Sequence, residues 1–263
     1  MRAHLLQLDL VWENPEANHR LVEKALEAAT PEPGDLVVLP ELFDTGFSLN
    51  TNKNADSTGQ TLRFLLGLAD KLGITIQGSR TTKSDTEPDT KASNNATVVG
   101  PGQNLICEYN KIHPFTFGRE PEKFQGGDKV TTYDWPSGTN TLKVCPAVCY
   151  DLRFPELFRA GLSQGAELFA IGANWPKARQ AHWRALAIAR AIENQAFVLA
   201  VNRTGSDPHL SYIGGTIAIG PKGEILGELG AETATLSIDI DPGSVRGWRR
   251  FFPAWKDGKI RNF

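Results

Sequence analysis

The sequence predicts an α/β fold, with two sheets packed together and helices outside them. Three observations carry that expectation. Apolar runs of strand length recur along the chain, amphipathic helical patterns alternate with several of them, and residues 96–109 and 214–226 share one theme. Each of those two stretches reads as strand, Gly-Pro turn, strand. They lie roughly 120 residues apart, an offset far too long for a solenoid, which leaves a pseudo-symmetric pair of sheets as the simplest arrangement that buries so many strands on both faces.

The strand runs, in order, are 5–10, 35–39, 73–78, 96–99, 105–109, 142–148, 167–172, 197–202, 214–219 and 235–239. Helical spacing appears at 16–29, where Leu21, Ala25 and Ala29 share a face, and at 60–72, where Leu65, Leu68 and Leu72 do. A short helix is expected at 155–164, opening on Pro155, a favoured first-turn residue, and a longer one at 177–194 carrying Trp183, Leu186, Ala187 and Ala191. The most polar segment, 83–95, reads as a surface loop.

Length alone allows about two domains of ~150 residues. No stretch resembles a linker, so one domain spanning 1–263 is expected. With 40% hydrophobic residues and a net charge of −2, the chain can bury a sizeable core and has no electrostatic footprint for nucleic acid. The first ten residues are interrupted by Gln7 and Asp9 and read as a strand, not a signal peptide. No apolar run approaches the ~18 residues a membrane span requires. Three cysteines make no disulfide framework and point to a reducing, cytoplasmic setting.

Three strand ends carry reactive groups. The run 35–39 leads through Pro40 to Glu41, the run 105–109 leads to Lys111, and 142–148 leads to Cys149. A thiol where a buried strand meets a turn has its sulfur fixed by the strand and backbone N–H groups nearby for a developing oxyanion. A carboxylate at a strand terminus is partly desolvated and suited to carrying protons. Glu41 can take the thiol proton, Lys111 can face the oxyanion, and Cys149 can attack. No histidine has a comparable setting, His113 in Lys-Ile-His-Pro-Phe being the nearest to one. Cys145 lies four residues before Cys149 within a strand run and has no paired His or Cys nearby, which argues against zinc.

The order Leu-Pro-Glu41, Tyr-Asn-Lys111-Ile-His-Pro-Phe and Cys149-Tyr-Asp-Leu-Arg-Phe-Pro-Glu156 resembles the nitrilase superfamily of carbon-nitrogen hydrolases over nearly the whole chain. Ala173-Asn-Trp-Pro176, Arg179, His182-Trp, Ala189-Arg-Ala-Ile-Glu-Asn-Gln-Ala196 and Asn202-Arg-Thr-Gly-Ser-Asp207 are most similar to its omega-amidase branch. The resemblance implies a four-layer α-β-β-α sandwich, assembly at least to a homodimer, and no metal or organic cofactor. It makes Glu41 the general base, Lys111 the oxyanion cation and Cys149 the nucleophile. Glu120 is the expected second carboxylate, with Glu122 competing, and the backbone N–H of Tyr150 completes the oxyanion hole. The implied substrates are omega-amides of short 2-oxo dicarboxylic acids such as 2-oxoglutaramate. Other amides of the superfamily, N-carbamoyl amino acids or deaminated glutathione, remain open, as does a non-catalytic binding protein of the same fold.

Trp175, Phe43, Phe115 and Phe117 lie next to the proposed catalytic groups as candidate pocket walls. Asn174 and Arg179 are candidates for a substrate carboxylate, arginine being favoured for its fork geometry. Arg153 and Glu156 are expected to pair and hold the turn after the nucleophile. The tail 245–255, with aromatics and three arginines, is expected to clamp a dimer or cover a sheet edge.

Overall fold

The computed structural model describes residues 1–84 and 90–259. In chain order its elements are β1 (Arg2–Gln7), α1 (Pro15–Ala29), β2 (Leu36–Val38), α2 (Thr51–Asn54), α3 (Gln60–Leu72), β3 (Thr75–Thr82), β4 (Ser93–Gly100), β5 (Asn104–Asn110), β6 (Tyr133–Ser137), β7 (Asn140–Val148) and α4 (Pro155–Ser163). There follow β8 (Leu168–Ala173), α5 (Gln180–Asn194), β9 (Phe197–Asn202), β10 (Thr204–Ser206), β11 (Ser211–Ile213), β12 (Ile217–Ile219), β13 (Ile225–Glu228), β14 (Ala234–Asp239) and α6 (Pro242–Phe251).

One six-stranded sheet has the order β14-β1-β2-β3-β4-β5 and the other β13-β12-β9-β8-β7-β6. Each is built around three parallel strands, β1-β2-β3 and β7-β8-β9, with antiparallel strands outside them. Alternation along the strands then fills three separate cores. Leu36 and Val38 of β2 meet Leu168 and Ala170 of β8 between the sheets. Val37 faces Val22 and Leu26 of α1 and Leu65 and Ala69 of α3. Phe169 and Ile171 face Phe158 of α4 and Trp183 and Ala187 of α5. These are the interlayer cores of a four-layer α-β-β-α sandwich.

The helix boundaries follow from local chemistry. The Asn14 side chain accepts from the Ala17 N–H at 3.1 Å ahead of Pro15, and α1 stops where Thr30 turns left-handed. Gly59 and Gly73, both left-handed, bracket α3.

Several expectations need correction. Residues 85–89 of the polar segment lie outside the described residues, but Ser93, Asn94 and Asn95 already belong to β4 and are buried, so the strand starts earlier than its apolar part. Strand β6 lacks an apolar run because it lies at a sheet edge, where Asp134 and Pro136 face outward. The tail forms α6, whose Arg249 donates to the carbonyls of Ala166, Asn194 and Gln195 and whose Arg246 pairs with Glu167, so its arginines close the end of α5 and β8 in the same chain.

Among the described residues no helix is long and apolar enough to cross a membrane. The two sheets come into close backbone contact at Gly172, where a Cβ would collide with the carbonyl of Leu39. That contact brings the ends of β2 and β8 together, and with them Glu41 and Asn174.

Candidate active site

Glu41, Lys111, Glu120 and Cys149 meet in one enclosed cluster. Each reaches it from a chain segment that has just left a strand or, for Glu120, from a short 3-10 turn at Glu120–Glu122. Lys111 Nζ lies 2.8 Å from Glu41 Oε1 and 2.7 Å from Glu120 Oε2, with all three side chains at most 1% exposed. Burial works against the ammonium, but the charges of Glu120 and then Glu41 outweigh it and hold Lys111 protonated far above the ordinary lysine range. Burial raises the Glu120 pKa above the ordinary carboxylate value, opposed by Lys111.

Cys149 follows β7 with φ at +46°, a left-handed conformation uncommon for a residue with a Cβ. It opens a 3-10 turn, Cys149–Arg153, whose first N–H groups have no carbonyl to meet within their own turn. Asp151 holds that turn by accepting from Val148 N at 2.9 Å. Burial and then the charge of Glu41 push the thiol well above its usual pKa, with Lys111 pulling the other way.

The two carboxylates differ in how fully they are engaged. Glu120 accepts from Lys111 at both oxygens, from Asn94 Nδ2 at 3.1 Å and from Phe115 N at 2.6 Å. Glu41 Oε1 accepts from Lys111 and from Asn94 Nδ2 at 2.9 Å, while Oε2 accepts from Asn174 N at 3.0 Å. A carboxylate offers about four lone-pair sites. Glu120 has used its four, and Glu41 keeps one open at Oε2. Glu122, the competing residue, is half-exposed and bound by Arg119 at 2.8 Å, outside the cluster.

A cavity of about 360 Å³ opens onto Cys149, Glu41 and Lys111. Tyr150, Asn174, Trp175, Phe115 and Arg179 line it, as does Phe117. Phe43 does not: its ring is fully buried between α1 and β3, 6.1 Å from the His19 ring, because the chain turns sharply at Leu42, where φ is +43°. Phe47, four residues on, takes the wall position. Asn174 lines the cavity and donates from Nδ2 to the Glu41 carbonyl at 2.7 Å.

Arg153 was expected to pair with Glu156; it stacks instead on Trp175 at 4.7 Å and lines the cavity. Arg179 stacks on Phe115 at 5.2 Å across the same opening. Asn94, Trp12 and the β10–β11 hairpin, with Asp207, His209 and Tyr212, also belong to the site and escaped sequence reading. For Asn94 the only signal was an Asn pair immediately ahead of an apolar run. Cys145 faces away, packed against Gly161 of α4. His113 binds Asp151 at 2.8 Å and stacks on Phe154, so it braces the turn that carries Cys149 from outside the cavity.

The carbon-nitrogen hydrolase family model matches residues 2–250. An omega-amidase of Escherichia coli K12 is 33% identical over 259 residues, 98% of this chain and 96% of that protein. A 2-oxoglutaramate amidase of Bacillus subtilis is 33% identical over 255 residues, 96% and 95% of the two chains. A solved CN-hydrolase superfamily protein of Xanthomonas campestris, with an arsenic adduct in its active site, is 32% identical with a TM-score of 0.90, covering 100% of this chain and 98% of its own. With the four-layer sandwich and the family match over nearly all of its length, the chain belongs to the carbon-nitrogen hydrolases of the nitrilase superfamily and is an enzyme of that class.

Proposed function

We propose that the protein is an omega-amidase, hydrolysing the omega-amide of short 2-oxo dicarboxylic acid monoamides such as 2-oxoglutaramate through a thioester on Cys149. The observation that carries the chemistry is the donor and acceptor count around Lys111 and Glu41. Lys111 Nζ makes three hydrogen bonds, one to Glu41 Oε1 and two to the paired oxygens of Glu120, so an oxyanion takes the place of one of the two Glu120 contacts. Of four acceptor positions on Glu41, one at Oε2 is left open to take a proton from the thiol.

Sγ attacks the amide carbon as its proton passes to Glu41, and Lys111 and the Tyr150 N–H stabilise the oxyanion. Glu41 returns the proton to nitrogen, the C–N bond breaks, and ammonia leaves an acyl group on sulfur. Water then gives a proton to Glu41 and attacks the thioester carbon; the C–S bond breaks and the thiol is restored. Glu120 keeps Lys111 charged and, through Phe115 N, fixes the cavity wall.

The substrate reading rests on the cavity and on the relatives. About 360 Å³ lies near the lower end of the usual range for ligand pockets and suits a small acid amide. Arg153 and Arg179, each stacked on aromatic rings, offer guanidinium forks to the carboxylate end of such a molecule. A cytoplasmic homodimer completes the proposal, with the exposed Phe251 and Phe252 beside Trp248 as an apolar surface available to a second copy. Ammonia release measured across 2-oxoglutaramate, N-carbamoyl amino acids and deaminated glutathione tests the substrate, and absence of activity on 2-oxo omega-amides sinks it. Intact-mass detection of an acyl adduct on Cys149 tests the thioester, and light scattering tests the dimer.

A further inference from the structure

Asn94 stands in β4, paired across the sheet with Thr81, where the pleat turns it into the cluster and turns its neighbour Asn95 toward Asn110 on the other face. Its Nδ2 donates to Glu41 Oε1 at 2.9 Å and to Glu120 Oε1 at 3.1 Å. The same two oxygens accept from Lys111 Nζ at 2.8 and 3.0 Å. Four groups therefore close a ring in which two donors alternate with two carboxylate oxygens. The main-chain carbonyl of Asn94 also accepts from Lys111 N at 2.9 Å, so the backbone of the lysine hangs on the same residue.

The orientation of this amide is fixed by what surrounds it. Asn94 Oδ1 is buried with no hydrogen-bond partner. Turning the amide over would satisfy nothing and would set a carbonyl oxygen against two carboxylates. An unpaired oxygen is thus tolerated to keep a neutral donor between Glu41 and Glu120. A neutral donor holds the two carboxylates without cancelling the charge that Lys111 must present, and it shares Oε1 of Glu41 with Lys111, which leaves an acceptor position open at Oε2.

We infer that Asn94 is a positioning residue for proton transfer between Cys149 and Glu41, acting as the second donor of a ring that Lys111 alone cannot close. The inference rests on the reading of Cys149 as nucleophile and Glu41 as its base, but not on the identity of the amide. The ionisable groups facing Asn94 are Glu41, Glu120 and Lys111, with Cys149 beyond Glu41. Replacing it by Asp preserves shape while exchanging the donor for a carboxyl that can donate only when protonated.

The test follows iodoacetamide alkylation of Cys149 by peptide mass across pH 5–9, in the parent protein and in Asn94→Asp and Asn94→Ala, with melting curves for each. In the parent, Cys149 is expected to react faster than Cys107 and Cys145; if it does not, the nucleophile reading and this inference both fall. In Asn94→Asp the expected rate is at least about tenfold below the parent near pH 8, with the ratio to the parent recovering as pH falls and the new carboxyl protonates. Asn94→Ala is expected to be slow at neutral pH without that acid recovery. Folded variants that alkylate like the parent, or an Asn94→Asp defect that is uniform across pH, would overturn the assignment.

Discussion

The hydroxyl of Tyr109 donates to Asp151 at 2.7 Å, joining the strand that leads to Lys111 to the turn that carries Cys149. Asp151 is fully buried and also accepts from Val148 N, from His113 N at 3.1 Å and from the His113 ring at 2.8 Å. Cys149 and Lys111 are thereby held in one frame by a carboxylate that touches neither side chain. Asp151→Ala strands four donors, and a loss of about 3 kcal/mol in urea unfolding is expected, together with loss of amide turnover.

The left-handed backbone of Cys149 costs a residue with a Cβ roughly 1 kcal/mol or more. Cys149→Ala and Cys149→Gly should both be inactive by ammonia release, while the Gly variant unfolds at a denaturant concentration corresponding to about 1 kcal/mol more stability than the Ala variant. Equal stability would mean that the surrounding turn relaxes once the sulfur is gone.

Arg153 offers its guanidinium to the cavity while stacked on Trp175. Arg153→Gln is expected to raise KM for a carboxylate-bearing amide by about 10- to 100-fold, the span of a charged hydrogen bond, with little change for a neutral amide of similar length. Steady-state kinetics on the matched pair decides it; equal losses on both would assign Arg153 to packing.

Asp44 lies beneath the segment that follows Glu41, accepting from Thr61 Oγ1 at 2.9 Å, and burial pushes its carboxyl up to about 7. Its folded pKa is raised above the unfolded value, so the folded state binds the extra proton between about pH 4 and pH 7 and stability falls as pH rises through that window. Asp44→Asn should flatten this part of the stability profile and gain on the order of 2–4 kcal/mol at pH 8. Urea unfolding of both proteins at pH 5 and pH 8 measures it.

Strands β2, β8 and β9 were legible because each is buried on both faces and so reads as an apolar run. Edge strand β6 was not, since Asp134 and Pro136 face outward there. The reactive groups were legible for a related reason: Glu41 and Cys149 follow buried strands and Lys111 follows the edge strand β5, and a charge or thiol at a strand end stands out in one dimension. What escaped reading depends on direction rather than composition. Phe43 and Phe47 are the same residue type four positions apart, and only the left-handed turn at Leu42 decides which one reaches the cavity. Asn94 resembled loop sequence because a buried amide between two carboxylates makes sense only once the strands of a distant sheet have brought those carboxylates together.

The enclosed cluster holds two carboxylates and one ammonium, an imbalance that matters most at the end of the reaction. An amide arrives at this point uncharged, whereas the acid that the proposed hydrolysis forms there becomes an anion facing Glu41 and Glu120 as soon as it gives up its proton. The same negative surplus that waits for a thiol proton therefore repels the product, so that clearing the site for the next turnover is built into its resting charge.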